Sequence, residues 1–266
     1  TAEQGSENYL WTLNFGPQHP ATHTTLRIVL KLDGERVVEA IPDIGYLHSG
    51  FEKIGEHLNY NQYVTVTDRM NYISPIANNV AWHGAVEKLM GIDLTPRCKY
   101  VRVIIAELAR ISDHLLSTGA MGLDVGAFTF FLYAFYQRER IYDILETLCG
   151  ARFTTSYTRV GGASQDMTPQ VIEKIRAFLQ TFPNTLNDME RLLNRNRIFV
   201  DRMAGVGHIT AEKAIDLGLT GPTLRGSGVA RDLRRDQPYM FYDQVDFDVI
   251  TRNDGDCYSR YLVRNT

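Results

Sequence analysis

Cysteine is scarce in this 266-residue chain, at three positions only: Cys98, Cys149 and Cys257. They lie far apart with no Cys-x-x-Cys pair, which argues against a disulfide scaffold and against a metal site built from this chain alone. A reducing compartment is the expected setting. Charge of one sign is lacking as well. With 28 Lys plus Arg against 31 Asp plus Glu and a formal net charge of -3, no overall field recruits nucleic acid or anionic lipid, so partner recognition is local. Long hydrophobic runs are missing: the stretch from Val125 to Tyr136 contains Gly126 and Thr129 and is closed by Gln137-Arg138-Glu139-Arg140. That is well short of the roughly 20 residues that span a bilayer. No signal peptide opens the chain, and Thr1 in place of an initiating Met reads as a trimmed start. Tyr258 to Arg264 reads as the opening of a helix that stops early, as in a chain incomplete at its C-terminus. Gly205-Val206-Gly207 and Gly226-Ser227-Gly228 lack the third glycine of a dinucleotide fingerprint, no Gly-Lys-Ser/Thr occurs, and His-Glu-x-x-His is absent. Nucleotide binding and zinc hydrolysis therefore have no support.

What is present begins with Asn14-Phe15-Gly16-Pro17-Gln18-His19-Pro20-Ala21-Thr22-His23, a loop that sets two imidazoles between glycine and proline. Proline fixes φ and biases the residue before it toward extended geometry, so His19 and His23 have few conformations open to them. Strands are expected on either side, Tyr9 to Phe15 and Thr25 to Leu32, and Asp33-Gly34 is a hairpin signal returning the chain along Val37 to Ile41. His23 is thus expected at a sheet edge.

Beyond the β region the period becomes 3.6. Leu47, Phe51, Ile54, Leu58 and Gln62 predict a helix over 46–63, and Ile76, Val80, Val86 and Leu89 one over 75–90 that Gly91 stops. Pro96 opens a third helix, which Gly119 is expected to end. Asp124 is the expected N-cap of a helix over 125–148 closed by Gly150, and Thr168-Pro169 caps one running to about 194. From Ile198 the pattern turns irregular, with Met240 to Ile250 as a candidate strand. The fold class is mainly α with an N-terminal antiparallel β region (α+β). The expected division is 1–45 for the β region with its His-bearing loop, 46–197 for a central helical bundle, and 198–266 for an irregular, subunit-facing region. Arg225, Arg231, Arg234 and Arg235 read as a solvated or subunit-facing patch paired with Asp232, Asp236 and Asp243.

Asp68-Arg69-Met70-Asn71-Tyr72 stands at the junction before the second long helix. A lone tyrosine there more often packs its ring and hydrogen-bonds its hydroxyl than does chemistry. Seven further segments change that weighting: Gly16 to Pro20, Gly45 to His48, Phe51-Glu52-Lys53, Val86 to Leu89, Leu123 to Ala127, Arg159 to Gly162 and Leu224 to Gly228. Together they resemble, across nearly the whole chain, the hydrogenase-like quinone-site subunit (the D-type subunit) of proton-pumping NADH:quinone oxidoreductase, respiratory complex I, a homologue of the nickel-iron hydrogenase large subunit.

The resemblance implies a hydrogenase-large-subunit-like fold and a set of roles. The residues matching His23 and Tyr72 bind the quinone head group through its carbonyl oxygens, and the aspartate matching Asp124 partners the histidine. The chemistry agrees, because quinone reduction takes two protons, and an imidazole recharges near neutral pH while a phenol stays protonated there. The electron donor is the terminal tetranuclear iron-sulfur cluster of the adjacent small subunit, with Arg69 close to it; no cofactor is bound covalently. The expected substrate is ubiquinone or menaquinone. Expected partners are that small iron-sulfur subunit, the C-type subunit homologue and a hydrophobic membrane subunit, on the cytoplasmic side of a bacterial inner membrane or the matrix side of a mitochondrial one. NADH is oxidised elsewhere, so the isolated chain is expected to be inactive. Departures are visible too. Related hydrogenases have Arg-x-Cys-x-x-Cys where this chain has Arg69-Met70-Asn71-Tyr72-Ile73-Ser74, so a nickel site is not available. Asn71 stands in place of an expected aspartate, and Thr24 where glycine usually follows the loop histidine. Thr154 replaces a histidine found near the cluster in many members, which implies a cluster potential nearly independent of pH. The rival reading is a non-catalytic scaffold subunit of a membrane-bound, hydrogenase-related complex.

Overall fold

The computed structural model describes residues 10–266, which divide into two compact units on either side of the His57–Leu58 link. In the first, β1 (Trp11–Phe15), β2 (Arg27–Asp33) and β3 (Arg36–Asp43) form an antiparallel meander with β2 in the centre. The register pairs Trp11 with Leu32 and Phe15 with Ile28 on one side, and Arg27 with Asp43 on the other. The hairpin turns through Gly34, whose φ of +60° a side chain would disfavour, as Asp33-Gly34 signals. A bulge between Lys31 and Leu32 shifts the pairing with β3. Tyr9, the expected start of β1, lies outside the described residues.

The helix expected over 46–63 is not continuous. Only α1 (Phe51–Gly55) forms, followed by turns and then, in the second unit, α2 (Val64–Met70). Local polar chemistry interrupts it. Gly50 sits at φ +62°, and Asn59 and Gln62 cap each other reciprocally: Gln62 N–H donates to Asn59 Oδ1 at 2.9 Å and Asn59 N–H to Gln62 Oε1 at 3.1 Å. This is a capping box, which starts a new turn and does not continue an old one.

In the second unit α3 (Pro75–Met90) ends at Gly91 in the left-handed region, as expected. The next helix, α4 (Pro96–Asp124), runs past Gly119 and spans 29 residues. Gly119 and Gly122 serve close packing: a Cβ on Gly119 would lie 3.2 Å from Ala134 Cβ, and one on Gly122 3.0 Å from Phe130. Those residues belong to α5 (Phe128–Cys149), the antiparallel neighbour of α4. Asp124 is accordingly not the N-cap of α5. It is the last residue of α4, and Gly126 at φ +97° closes a Schellman motif in which Ala127 N–H donates to Gly122 O at 2.7 Å and Gly126 N–H to Leu123 O at 2.9 Å.

A two-stranded ladder, β4 (Thr158–Arg159) with β5 (Gly162–Ala163), precedes α6 (Pro169–Leu193), whose N-cap Thr168 accepts from Val171 N–H. Short helices follow: α7 (Arg197–Met203), α8 (Ala211–Asp216), α9 (Gly221–Arg225), α10 (Leu233–Asp236) and α11 (Cys257–Asn265). Met240 to Ile250 is not a strand; its regular part is one turn of 3-10 helix, Tyr242–Gln244. Its tyrosine is drawn inward, where Tyr242 Oη donates to Glu107 Oε1 of α4 at 2.5 Å. One core joins α3, α4, α5, α6, α7 and α11, with Ile105, Phe130, Ile141, Leu148, Val171, Phe178 and Tyr261 almost fully buried.

Candidate functional site

His23 is the C-cap of a 3-10 turn, Pro20–Thr22, on the connection between β1 and β2, and is exposed. The turn is braced from within. His19 caps it by accepting Ala21 N–H at Nδ1 (3.1 Å), its ring lies 4.6 Å from that of Phe15, and buried Thr22 donates its hydroxyl to His19 O at 2.9 Å. His19 is thus structural, which fixes its neutral tautomer with the proton on Nε2. A Cβ on Gly16 would lie 2.1 Å from Leu26 O, so only glycine lets the loop close this tightly. His23 and Thr24 both adopt left-handed backbone, at φ +53° and +61°. Position 24 thus calls for positive φ, which glycine adopts without strain and threonine does not.

Arg69 and Tyr72 share one turn at the end of α2, in the second unit. Arg69 is exposed and folds back to donate from Nη1 to Thr65 O at 2.6 Å. Asn71 is also exposed, and its carbonyl accepts from Ser74 N–H at 3.1 Å and from Asn78 Nδ2 at 3.3 Å, which pins the turn to the first turns of α3. Tyr72 follows it and is 41% exposed, its ring presented rather than packed away. Beneath the turn lies a group to which the sequence reading gives no role: Asp68, 1% exposed, accepts from Asn79 Nδ2 of α3 at 2.7 Å, and Thr67 Oγ1 lies 2.6 Å from Asn79 Oδ1. Burial pushes the Asp68 carboxyl above its ordinary range, and the Asn79 amide, Arg69 and Ser156 only partly offset that.

Asp124 is exposed at the C-terminal end of α4, where the helix dipole gives a carboxylate no support. The same helix end receives Arg202, whose Nη1 donates to Val125 O at 2.6 Å. Thr154 is half-buried between Arg152 and the buried Thr155, whose hydroxyl has no partner among the described residues. Among those residues no group of His, Cys, Asp and Glu is placed to hold a metal ion, and no helix is long and apolar enough to cross a membrane. A cavity of about 510 Å³ in the second unit, beside the small residues Ala77, Ala81 and Gly84 of α3, is lined by none of Arg69, Tyr72 and Asp124. The arginine patch is partly interior. Arg225 is buried 3.5 Å from Asp232, and Arg234 reaches both Asp232 (2.8 Å) and Glu107 (3.2 Å), whereas Arg231 and Arg235 are exposed.

His23 is thus presented on a loop of the first unit and Tyr72 on a turn of the second, each exposed at its own surface. The profile of the family described as respiratory-chain NADH dehydrogenase, 49 kDa subunit, matches residues 124–266. Over 252 residues, 95% of this chain, the sequence is 56% identical to the second D-type subunit of the NADH-quinone oxidoreductase of Rhizobium meliloti (strain 1021), of which 62% is covered. It is 52% identical over the same share to the D-type subunits of NADH-quinone oxidoreductase from Salinibacter ruber and Methylacidiphilum infernorum, covering 56% and 60% of them. The chain belongs to this family, the D-type subunits of NADH-quinone oxidoreductase, and spans about three-fifths of the length of the curated relatives it matches.

Proposed function

We propose that this chain forms the quinone head-group site of a proton-translocating NADH:quinone oxidoreductase. His23 and Tyr72 meet the two carbonyl oxygens of the quinone, Asp124 supports His23, and Arg69 faces the iron-sulfur cluster of the adjacent subunit. The observation that supports this reading most is the 56% identity with a chain whose name states that reaction. Local geometry supports it too. Tyr72 offers a hydroxyl at the surface on a turn pinned to α3, and His23 stands on a loop whose own histidine and threonine are used up in bracing it. The substrate is ubiquinone or menaquinone, and the partners are the small iron-sulfur subunit, the C-type subunit homologue and a hydrophobic membrane subunit. The chain sits peripherally at the cytoplasmic face of a bacterial membrane, or at the matrix face in a mitochondrion. NADH is oxidised in another subunit.

His23→Ala and Tyr72→Phe, each made in the assembled enzyme, test this. Removing one hydrogen-bond donor from a quinone oxygen costs about 1–3 kcal/mol, which lowers kcat/KM for quinone by roughly five- to 150-fold. Assembly and NADH oxidation with an artificial acceptor remain intact. Native quinone kinetics in both variants would leave a scaffold subunit as the better reading.

A further inference from the structure

The least expected group beside the proposed quinone site is the buried Asp68. Its helix, α2, is amphipathic: Val64, Thr67 and Asp68 are buried, and Arg69 and Met70 exposed. An aspartate on the inward face has lost nearly all its water, yet among the described residues no ion pair compensates it. Its Oδ1 receives Asn79 Nδ2 at 2.7 Å, and its Oδ2 has Ser156 Oγ at 3.4 Å. Burying a carboxylate without a cation is expensive. A neutral amide of the same shape would accept from Asn79 more weakly than a carboxylate but avoid that cost, so the ionisable group itself needs a reason.

Its contacts suggest one. Asn79 is held in a single orientation, its carbonyl facing Thr67 and its amino group facing Asp68, so the carboxyl ties the end of α2 to α3. Ser156 extends the tie to the segment after α5, where Ser156 itself is in the left-handed region at φ +37° and Thr155 keeps an unpartnered buried hydroxyl. Three elements therefore meet at one carboxyl, a single residue before Arg69 and four before Tyr72. The charged or titratable groups that face it are few: Arg69 from its own helix and Cys149 from the end of α5, with none from α3, where His83 meets Thr158 instead.

We propose that Asp68 is a positioning residue for the quinone-binding turn, holding Arg69 and Tyr72 in place through Asn79 and Ser156 when ionised and loosening them when it takes up a proton. This rests on the reading of Tyr72 as a quinone ligand. As a buried acid without an ion-pair partner, Asp68 is protonated more readily than a surface aspartate, in keeping with burial as the dominant influence on it.

The test is Asp68→Asn in the assembled enzyme, with KM and kcat for a short-chain ubiquinone followed from neutral pH down to the acid limit of enzyme stability. In the native enzyme KM rises on the acid side as Asp68 is protonated. In Asp68→Asn that acid limb disappears, and KM at neutral pH stands about two- to tenfold above native, the range one hydrogen bond carries. NADH oxidation with an artificial acceptor is unchanged. A merely structural role would not remove a pH limb, so an Asp68→Asn enzyme with the native KM and native limb overturns the proposal, as would a native KM with no acid limb. If Asp68→Asn does not assemble, Ser156→Ala decides. Removing the hydroxyl that favours the ionised carboxyl moves the acid limb to higher pH, and an unmoved limb overturns the proposal. Tyr72→Phe keeps the two ideas separable: native quinone kinetics in that variant count against the quinone site itself, whereas weakened Tyr72→Phe beside native Asp68→Asn counts against Asp68 alone.

Discussion

Two adjacent residues in left-handed backbone, His23 and Thr24, make the loop between β1 and β2 costly to form. For a β-branched side chain the penalty is about 1–2 kcal/mol, because Cβ crowds the following carbonyl. The loop tolerates it because the His19 cap, the Thr22 hydroxyl and the close approach at Gly16 determine its path independently of residue 24. Thr24→Gly removes the steric term, while glycine's greater freedom in the open loop returns part of it. The expected net gain is about 0.5–1 kcal/mol of local stability. It is read as slower hydrogen exchange at Thr25 and Leu26, whose amides donate to Thr22 O at 3.3 and 3.1 Å. Faster exchange in the variant would show that the loop draws its order from residue 24 after all.

Between elements, the strongest polar tie is the buried pair Arg102–Glu87. Arg102 of α4, 0% exposed, donates from both terminal nitrogens to Glu87 of α3 at 2.8 and 2.7 Å, and also to the carbonyls of Arg159 and Gly162 at 2.7 and 2.8 Å. Glu87 in turn accepts Gly161 N–H at 2.7 Å, so two helices and the β4–β5 hairpin are fastened at one point. Arg102→Met fills similar space but strands the Glu87 carboxylate and two carbonyls. The expected loss is about 3–5 kcal/mol, seen as a lower denaturant midpoint. Arg102→Met with Glu87→Gln should recover a good part of it, since no charge is then left uncompensated. Nothing in the sequence marks this pair, because an Arg and a Glu fifteen positions apart read as ordinary surface charge. The helix ends were legible for the opposite reason: Gly91, Pro96, Gly150 and Pro169 act through their own backbone, and Thr168 through a hydroxyl cap only three residues away. The break near residue 56 and the passage through Gly119 depend on a reciprocal side-chain cap and on the approach of α5, which a 3.6-residue period does not encode. At the candidate site, His23, Tyr72, Asp124 and Arg69 were reached through resemblance to a family, and their geometry alone would not have singled them out. Asp68, in the same segment as Arg69 and Tyr72, drew no role of its own because aspartate beside arginine at a helix end normally faces water.

Over the whole chain, the response to acid follows from which buried groups are held neutral and which are held charged. His83, buried against Thr158 at 2.8 Å, is pushed down to about 4 first by burial and then by the Arg102 guanidinium. His114 is likewise pushed down to about 4, by burial and by Arg264 and Arg110. A histidine depressed in the fold binds its proton more tightly when unfolded, so its contribution to stability is complete above the ordinary value of 6.5 and drains away as pH falls toward about 4. The depressed carboxyls lose their contribution lower still. Glu107, on which burial acts upward but which Arg110, Tyr242 and Arg234 outweigh, and Asp232, held down by Arg234 against the same burial, weaken only below their ordinary values of 4.5 and 3.8. Asp68 and Asp113, both raised by burial, act in the reverse sense and gain as they protonate. Between about pH 6.5 and 4.5 the two imidazoles therefore dominate the loss, with the raised aspartates blunting it toward the acid end. The expected outcome is a thermal midpoint for this subunit in its complex that falls across that interval and is flat from about pH 7 to 8. His83→Gln, which keeps a polar contact to Thr158 and cannot titrate, should flatten the fall by roughly half. A midpoint that is level through the interval, or a His83→Gln slope equal to native, would mean that one or both rings are protonated inside the fold, with the guanidiniums around them already compensated by groups beyond these residues.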